Sequence, residues 1–94
     1  MLNSETQELE DVELLTEVDK GFAIILYNND VNTFDHVIHC LIKYCKHSGE
    51  QAEQCAMIVH YKGKCQVKNG SEVSLTPICN ALTNQGLSAV IEEL

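Results

Sequence analysis

Nine side chains in this 94-residue sequence are cysteine or histidine, types that ligate transition metals and act as nucleophiles or bases. They are five cysteines (Cys40, Cys45, Cys55, Cys65, Cys79) and four histidines (His36, His39, His47, His60). No two cysteines share a CxxC spacing, and no paired zinc motif, phosphate loop or nucleophile elbow is present. His36 and His39, at i and i+3, could face one way on a helix, and Cys55 and His60 do so loosely. Cys40, Cys45, Cys55 and Cys79 mostly fall on apolar stripes, where cysteine behaves as a small hydrophobe. A bound metal is therefore not expected. Cys65 sits in a short alternating segment with a lysine at each end, the best-placed thiol for nucleophilic work. It has no polar constellation around it, so neither a catalytic residue nor a cofactor is expected.

A second cluster is more informative: Asn28-Asn29-Asp30 together with His60. Asn and Asp are the default turn residues, so the tripeptide could do no more than end a strand and start a helix. A lone helical histidine is likewise more often a partly buried structural residue than a ligand contact. The surroundings raise the functional reading. Ala56 and His60 are i, i+4 and Val59 is i+3 from Ala56, which gives one helix side an apolar dimple with a polar rim. Phe34 and Val37 follow directly on the polar loop. Where the two helix faces meet, they make an apolar pocket ringed by an amide, a carboxylate and an imidazole. Such a site suits a ligand with a cationic head and a hydrophobic side chain, as in the first residue of a peptide.

The elements that must position these residues are legible from periodicity. Phe22–Tyr27 is a short apolar run, bounded by Gly21 and the Asn/Asp loop, and reads as a buried strand. Asn32 is the expected N-cap of the first helix, with Asp35 near its positive end. Phe34, Val37, Ile38, Leu41, Ile42 and Cys45 form its apolar stripe, and Gly49 interrupts it. Ser48 to Gln51 matches a capping box that opens a second helix. Its apolar positions are Ala52, Cys55, Ala56 and Val59, with Met57 and Ile58, and Gly63 stops it. Lys64–Lys68 alternates as a strand. Ser74 is the expected cap of a third helix, with Pro77 in its first turn and Leu75, Ile78, Cys79 and Leu82 facing inward. Gly86 is the expected residue beyond its end, and Leu87–Ile91 the last strand. The order is β-α-α-β-α-β, an α/β (α+β) domain with a three-stranded sheet packed against helices.

One domain of this length forms a shallow groove rather than a deep enclosed cavity. The chain has 14 acids, six lysines and no arginine, a formal charge of −8. That balance argues against nucleic acid and anionic membrane surfaces as partners. Residues 1–19 hold seven of the acids (Glu5, Glu8, Glu10, Asp11, Glu13, Glu17 and Asp19) and no base. Residues 1–20 are thus expected to form an acidic, flexible arm and 21–94 the folded domain. No apolar run approaches a membrane span and no signal-peptide pattern opens the chain, so a cytoplasmic protein with reduced thiols is expected.

The segment IILYNNDVNTFDHVI and the helix end AEQCAMIVHYKGK carry a family resemblance. Over Ala23–Ile91 the chain resembles the ClpS adaptors, which hand proteins bearing destabilising N-terminal residues to a Clp ATPase–protease. The His-Tyr-x-Gly-Lys run is the more specific of the two signatures. The resemblance implies an antiparallel three-stranded sheet and a non-catalytic adaptor. It implies that Asn28, Asp30 and His60 hold the free α-amino group of the bound residue, with Asn29 and Asn32 as auxiliary positions. Phe34, Val37, Ala56, Val59 and Leu87 would enclose its side chain. The chemistry is coherent, because amide carbonyl, carboxylate and unprotonated imidazole nitrogen all accept hydrogen bonds from an ammonium. The implied partners are N-degron proteins and the N-terminal domain of a ClpA-like or ClpC-like AAA+ ATPase, which the acidic arm would engage during delivery.

Three positions depart from the family pattern. Asn29 stands where an acid is usual, Phe34 where Met is frequent, and Ala56 where a larger apolar residue is frequent. A first residue of Phe, Tyr, Trp or Leu is expected, with the aromatic end better tolerated. Residues 69–78, with Pro77, also differ from the family pattern. The alternative is a protein-interaction module of ribosomal-stalk-like fold without N-terminal residue recognition.

Overall fold

The computed structural model describes residues 21–94; the acidic arm expected at 1–20 lies outside them. Six elements follow in the order β1 (Phe22–Tyr27), α1 (Phe34–Cys45), α2 (Gly49–Lys62), β2 (Lys64–Gly70), α3 (Glu72–Asn84) and β3 (Ser88–Glu93). The three strands form one antiparallel sheet in the order β2-β1-β3, with the apolar run at its centre. Tyr27, at the end of β1, faces Lys64 on one side and Ser88 on the other. The fold is α+β, an open sheet covered by helices, and the β-α-α-β-α-β order agrees with the periodicity.

The core lies between sheet and helices. Ile24 and Leu26 from β1, Leu41 from α1, and Leu75 and Leu82 from α3 are almost wholly buried. Each such side chain contributes about 1.5–3 kcal/mol relative to an exposed position. On α2 the buried set is Ala52, Cys55, Ala56 and Val59, a strict i, i+3, i+4, i+7 stripe. Met57 and Ile58, expected inward, are exposed because they lie off that stripe. On α1 the buried side is rotated toward Cys40, with Phe34 and Ile42 left partly open.

Several element boundaries differ from expectation for identifiable reasons. Thr33, not Asn32, caps α1; its Oγ1 accepts from the His36 N–H at 3.1 Å. The Asn32 amide is instead drawn to the Gly86 carbonyl at 3.1 Å. Ser71, not Ser74, caps α3 by accepting from the Ser74 N–H at 3.0 Å, so the helix begins at Glu72. Pro77 therefore lies inside the helix rather than in its first turn. The carbonyl it deprives of a donor belongs to Val73, an exposed residue. The two later strands extend to Gly70 and Glu93, where residues 68–70 and 91–93 continue to pair with Phe22–Ile24.

α1 ends not at Gly49 but at Lys46, which adopts the left-handed conformation (φ 63°, ψ 32°), while Gly49 opens α2. The three-residue link is tight because His47 is buried within it, its ring Nε2 2.7 Å from the Val67 carbonyl. Val67 falls where the β1–β2 register skips, and a bulge residue of this kind has no ladder partner of its own. A lysine in the left-handed region is strained by about 1–2 kcal/mol, partly offset in a glycine by its larger loss of chain entropy. Lys46→Gly is expected to stabilise the domain by about 0.5 kcal/mol, seen as a higher urea midpoint with an unchanged slope.

Candidate peptide-binding site

The cleft lies where the end of β1 meets the start of α1 and the last turns of α2. Gly63 produces the meeting. It closes α2 in the left-handed conformation (φ 96°), with its N–H on the Val59 carbonyl. Its own carbonyl then accepts from the Asn28 N–H at 2.9 Å, fastening the loop after β1 beside the last turn of α2. A side chain at this position would be strained by the backbone alone. Asn28 and His60, 32 residues apart in sequence, thereby line one cavity.

The floor of that cavity is apolar: Val37 from α1, Ala56 and Val59 from α2, and Leu26 beneath them. Ala56 and Val59 are nearly fully buried, at 3 % and 5 % exposure, so little but side-chain methyl groups meets an entering group there. The enclosed volume is about 40 Å³, within a basin of about 370 Å³ that opens to solvent. That is room for the end of one side chain rather than for a cofactor. Phe34 stands at the mouth, 41 % exposed, with its ring edge-on to His60 at a centroid distance of 6.1 Å. Tyr61 supports the imidazole from the other side at 4.8 Å.

The loop between β1 and α1 is held by side chains rather than by regular structure. The Asn29 carbonyl oxygen accepts from the Val31 N–H at 2.9 Å, and its amide donates to Ser88 Oγ at 3.0 Å. Asn32 reaches Gly86, and the His36 ring lies 2.8 Å from the Gln85 carbonyl, to which it donates. These bonds tie the loop and the first turn of α1 to Gln85, Gly86 and Ser88, where the chain enters β3. Asn29 and Asn32 both line the cleft, but their polar atoms already hold the loop together.

Of the residues expected to enclose a side chain, Phe34, Val37, Ala56 and Val59 come together. Leu87 does not line the cleft; it is buried in the core cluster that includes Val59. Asn28 and His60 line the rim, whereas Asp30 is exposed on the same loop, outside the lining. Sequence reasoning passed over Tyr27 and Thr33. Tyr27 lines the cleft while its hydroxyl donates to the Glu92 carboxylate, a bond that, with partial burial, raises its pKa. Tyr27 closes the apolar strand run and Thr33 precedes the helix, so both read as boundary residues rather than as site residues.

The other chemical candidates are placed apart from the cleft. Burial raises the thiol pKa of Cys40 and Cys79, and pushes that of Cys45 up to about 11, which disfavours their thiolate forms. Among the described residues no three His, Cys, Asp or Glu side chains converge as a metal site would require. Nor is any described helix long and apolar enough to cross a membrane.

Comparison with known proteins points to one family. A sequence model described as ATP-dependent Clp protease adaptor protein ClpS matches residues 17–90. A Streptomyces coelicolor protein named ATP-dependent Clp protease adapter protein ClpS is 28 % identical over 88 residues, covering 94 % of this chain and 92 % of the relative. A Synechocystis protein of the same name is 34 % identical over 69 residues, covering 72 % and 70 %. A third, from Nostoc, is 38 % identical over 53 residues, 55 % of each chain. With a family match over most of its length and the three-stranded antiparallel sheet beneath three helices, the chain belongs to the ClpS family of ATP-dependent Clp protease adaptors.

Proposed function

We propose that the chain is a non-catalytic cytoplasmic adaptor that binds the free α-amino group and bulky hydrophobic first side chain of N-degron proteins. It then delivers them to a Clp AAA+ ATPase–protease by docking on the ATPase's N-terminal domain. The observation that carries this reading is the joining of an apolar floor (Val37, Ala56, Val59) to a rim bearing Asn28 and His60 in a cavity the size of one side-chain end. Asn28, Asp30 and His60 hold the ammonium. The Asn carbonyl, the carboxylate and an unprotonated ring nitrogen accept its three hydrogens, each bond being worth about 1.5–3 kcal/mol. Acetylation removes two of those hydrogens together with the charge. The floor selects the side chain: Phe, Tyr, Trp and Leu enter, while β-branched residues meet Phe34 at the mouth.

Fluorescence anisotropy tests this with a labelled peptide beginning in Phe, its N-acetylated twin and a peptide beginning in Val. Binding of the first alone supports the reading, and equal binding of all three, or of none, sinks it.

Asn29 offers a graded check. An aspartate there retains an acceptor for the Val31 N–H and can accept from the Ser88 hydroxyl, so the loop keeps its anchors. The added charge beside a partly solvated ammonium is worth at most about 1 kcal/mol. Asn29→Asp is therefore expected to tighten binding of the free Phe peptide up to about fivefold, with the gain shrinking in high salt. Weaker binding in the variant would contradict the placement of the ammonium.

A further inference from the structure

Two of the five thiols, Cys55 and Cys65, belong to one packed group: Cys55 to the core cluster and Cys65 against it. Cys55 lies on α2 immediately before Ala56 and is 8 % exposed. Cys65 is the second residue of β2 and faces Leu26 across the β1–β2 ladder. Opposed residues of neighbouring strands point to the same face of a sheet, and Leu26 is buried against the helices. Cys65 is thus directed into the helical layer, where it packs on the core cluster containing Cys55. Cys55 feels its neighbour Cys65 electrostatically, and the hydrogen bond that Cys65 Sγ itself donates goes to the Gln66 carbonyl at 3.5 Å.

Their surroundings differ. Cys40, Cys45, Cys55 and Cys79 are buried, and Cys65 is the one described cysteine that is half-exposed. It lies on an edge strand, and among the described residues one flank of β2 has no strand partner. An accessible thiol in contact with a shielded one is the combination found in redox-responsive dithiols. Burial, and the neighbouring Cys65, push the Cys55 thiol up to about 12, which disfavours its thiolate as the first nucleophile.

We propose that Cys55 and Cys65 form a peroxide-oxidisable pair that closes into a disulfide, tying α2, the helix that bears Ala56, Val59 and His60, to the edge of the sheet. The Cys65 thiolate attacks one oxygen of hydrogen peroxide. The O–O bond breaks, an S–O bond forms, and the departing hydroxide takes up a proton to leave as water. The Cys55 sulfur then attacks the sulfenic sulfur and gives up its proton. The S–S bond forms, the S–O bond breaks, and a second water departs. Two thiols and one peroxide become one disulfide and two waters, each sulfur losing one electron and the peroxide gaining two. The S–S bond, about 2.05 Å long, is far shorter than any nonbonded sulfur–sulfur contact, so closure draws α2 toward β2. The proposal concerns thiol chemistry alone and stands whether or not the cleft binds peptides.

The test treats the full chain with hydrogen peroxide, alkylates it in denaturant, and maps it by mass spectrometry. The expected product has lost two hydrogen atoms, contains one Cys55–Cys65 linked peptide, carries alkyl groups on Cys40, Cys45 and Cys79, and reverts in dithiothreitol. Cys65→Ser, a change at the half-exposed edge, is expected to lose no hydrogens. Cys55→Ala is expected to accumulate sulfenic acid at Cys65, captured by dimedone. A linked peptide joining other cysteines, or over-oxidation of Cys65 while Cys55 stays alkylatable in the unmodified sequence, would overturn the proposal. So would a Cys55→Ala protein in which dimedone finds no sulfenic acid.

Discussion

His60→Ala is expected to weaken binding of a peptide beginning with a free Phe by roughly 10- to 100-fold, through loss of one charge-assisted hydrogen bond of about 1.5–3 kcal/mol. The imidazole has two roles that the substitution removes together. It accepts from the ammonium in the proposed complex, and it stands edge-on to Phe34 at the mouth of the cleft. His60→Phe separates them, because it keeps an aromatic edge against Phe34 and has no ring nitrogen. Anisotropy titrations should show His60→Phe nearly as impaired as His60→Ala. Wild-type affinity in His60→Phe would mean that the ring only packs, and the amine clamp would lose one of its three members. His60 is exposed on the last turns of α2, so neither change is expected to alter the unfolding free energy from urea titration by more than about 0.5 kcal/mol.

Ala56→Met is expected to abolish measurable binding of peptides beginning with Trp while reducing binding of those beginning with Leu only several-fold. Ala56 is 3 % exposed and forms part of the floor, so a longer side chain there has one empty space to enter, the cavity of about 40 Å³. Forcing it elsewhere overpacks the core at a cost of about 1–3 kcal/mol. Methionine is flexible enough to take the free space, which then shortens the pocket from within. The largest first side chain suffers most and the smallest least. Competition titrations across Trp, Phe, Tyr and Leu peptides check the ranking. A uniform loss would point to general distortion of α2, and an unchanged ranking would remove Ala56 from the specificity argument.

The parts of the fold that sequence carried were those written in a single strong period. FAIILY became the central strand, and the four positions Ala52, Cys55, Ala56 and Val59 became the buried face of α2. The capping serine at position 48 and the glycine at 63 bounded that helix as expected. What periodicity did not carry were choices between chemically similar neighbours. Asn32 and Thr33 are both good caps, and only the distant Gly86 carbonyl decides that Asn32 goes elsewhere. Ser71 and Ser74 present the same ambiguity, resolved by which serine accepts and which donates. Lys46 in the left-handed region follows from the burial of His47 against Val67, a contact between residues 20 apart.

The cleft was legible to a different degree. Its apolar floor followed from helical spacing, and Asn28 and His60 on the rim from residue type together with family resemblance, whereas the expected carboxylate, Asp30, lies outside the lining. The anchoring of the loop and the first turn of α1 where the chain enters β3 was not legible, since Asn29, Asn32 and His36 act on partners about 50 to 60 residues away. That anchoring changes how Asn29 is understood. An amide at this position is a crosslink between loop and strand before it is a ligand contact. Leu87 shows the converse, a residue carried over by resemblance whose side chain is part of the core.

The most direct test of the account is a backbone-amide NMR titration of the full chain with a short peptide beginning in Phe, repeated with its N-acetylated twin. The account predicts that the free peptide shifts Asn28, Asn29, Phe34, Val37, Ala56, Val59 and His60, and that the acetylated twin leaves them in place. Shifts centred on the exposed Met57, Ile58 and Tyr61 side of α2, or the same shifts from both peptides, would contradict it.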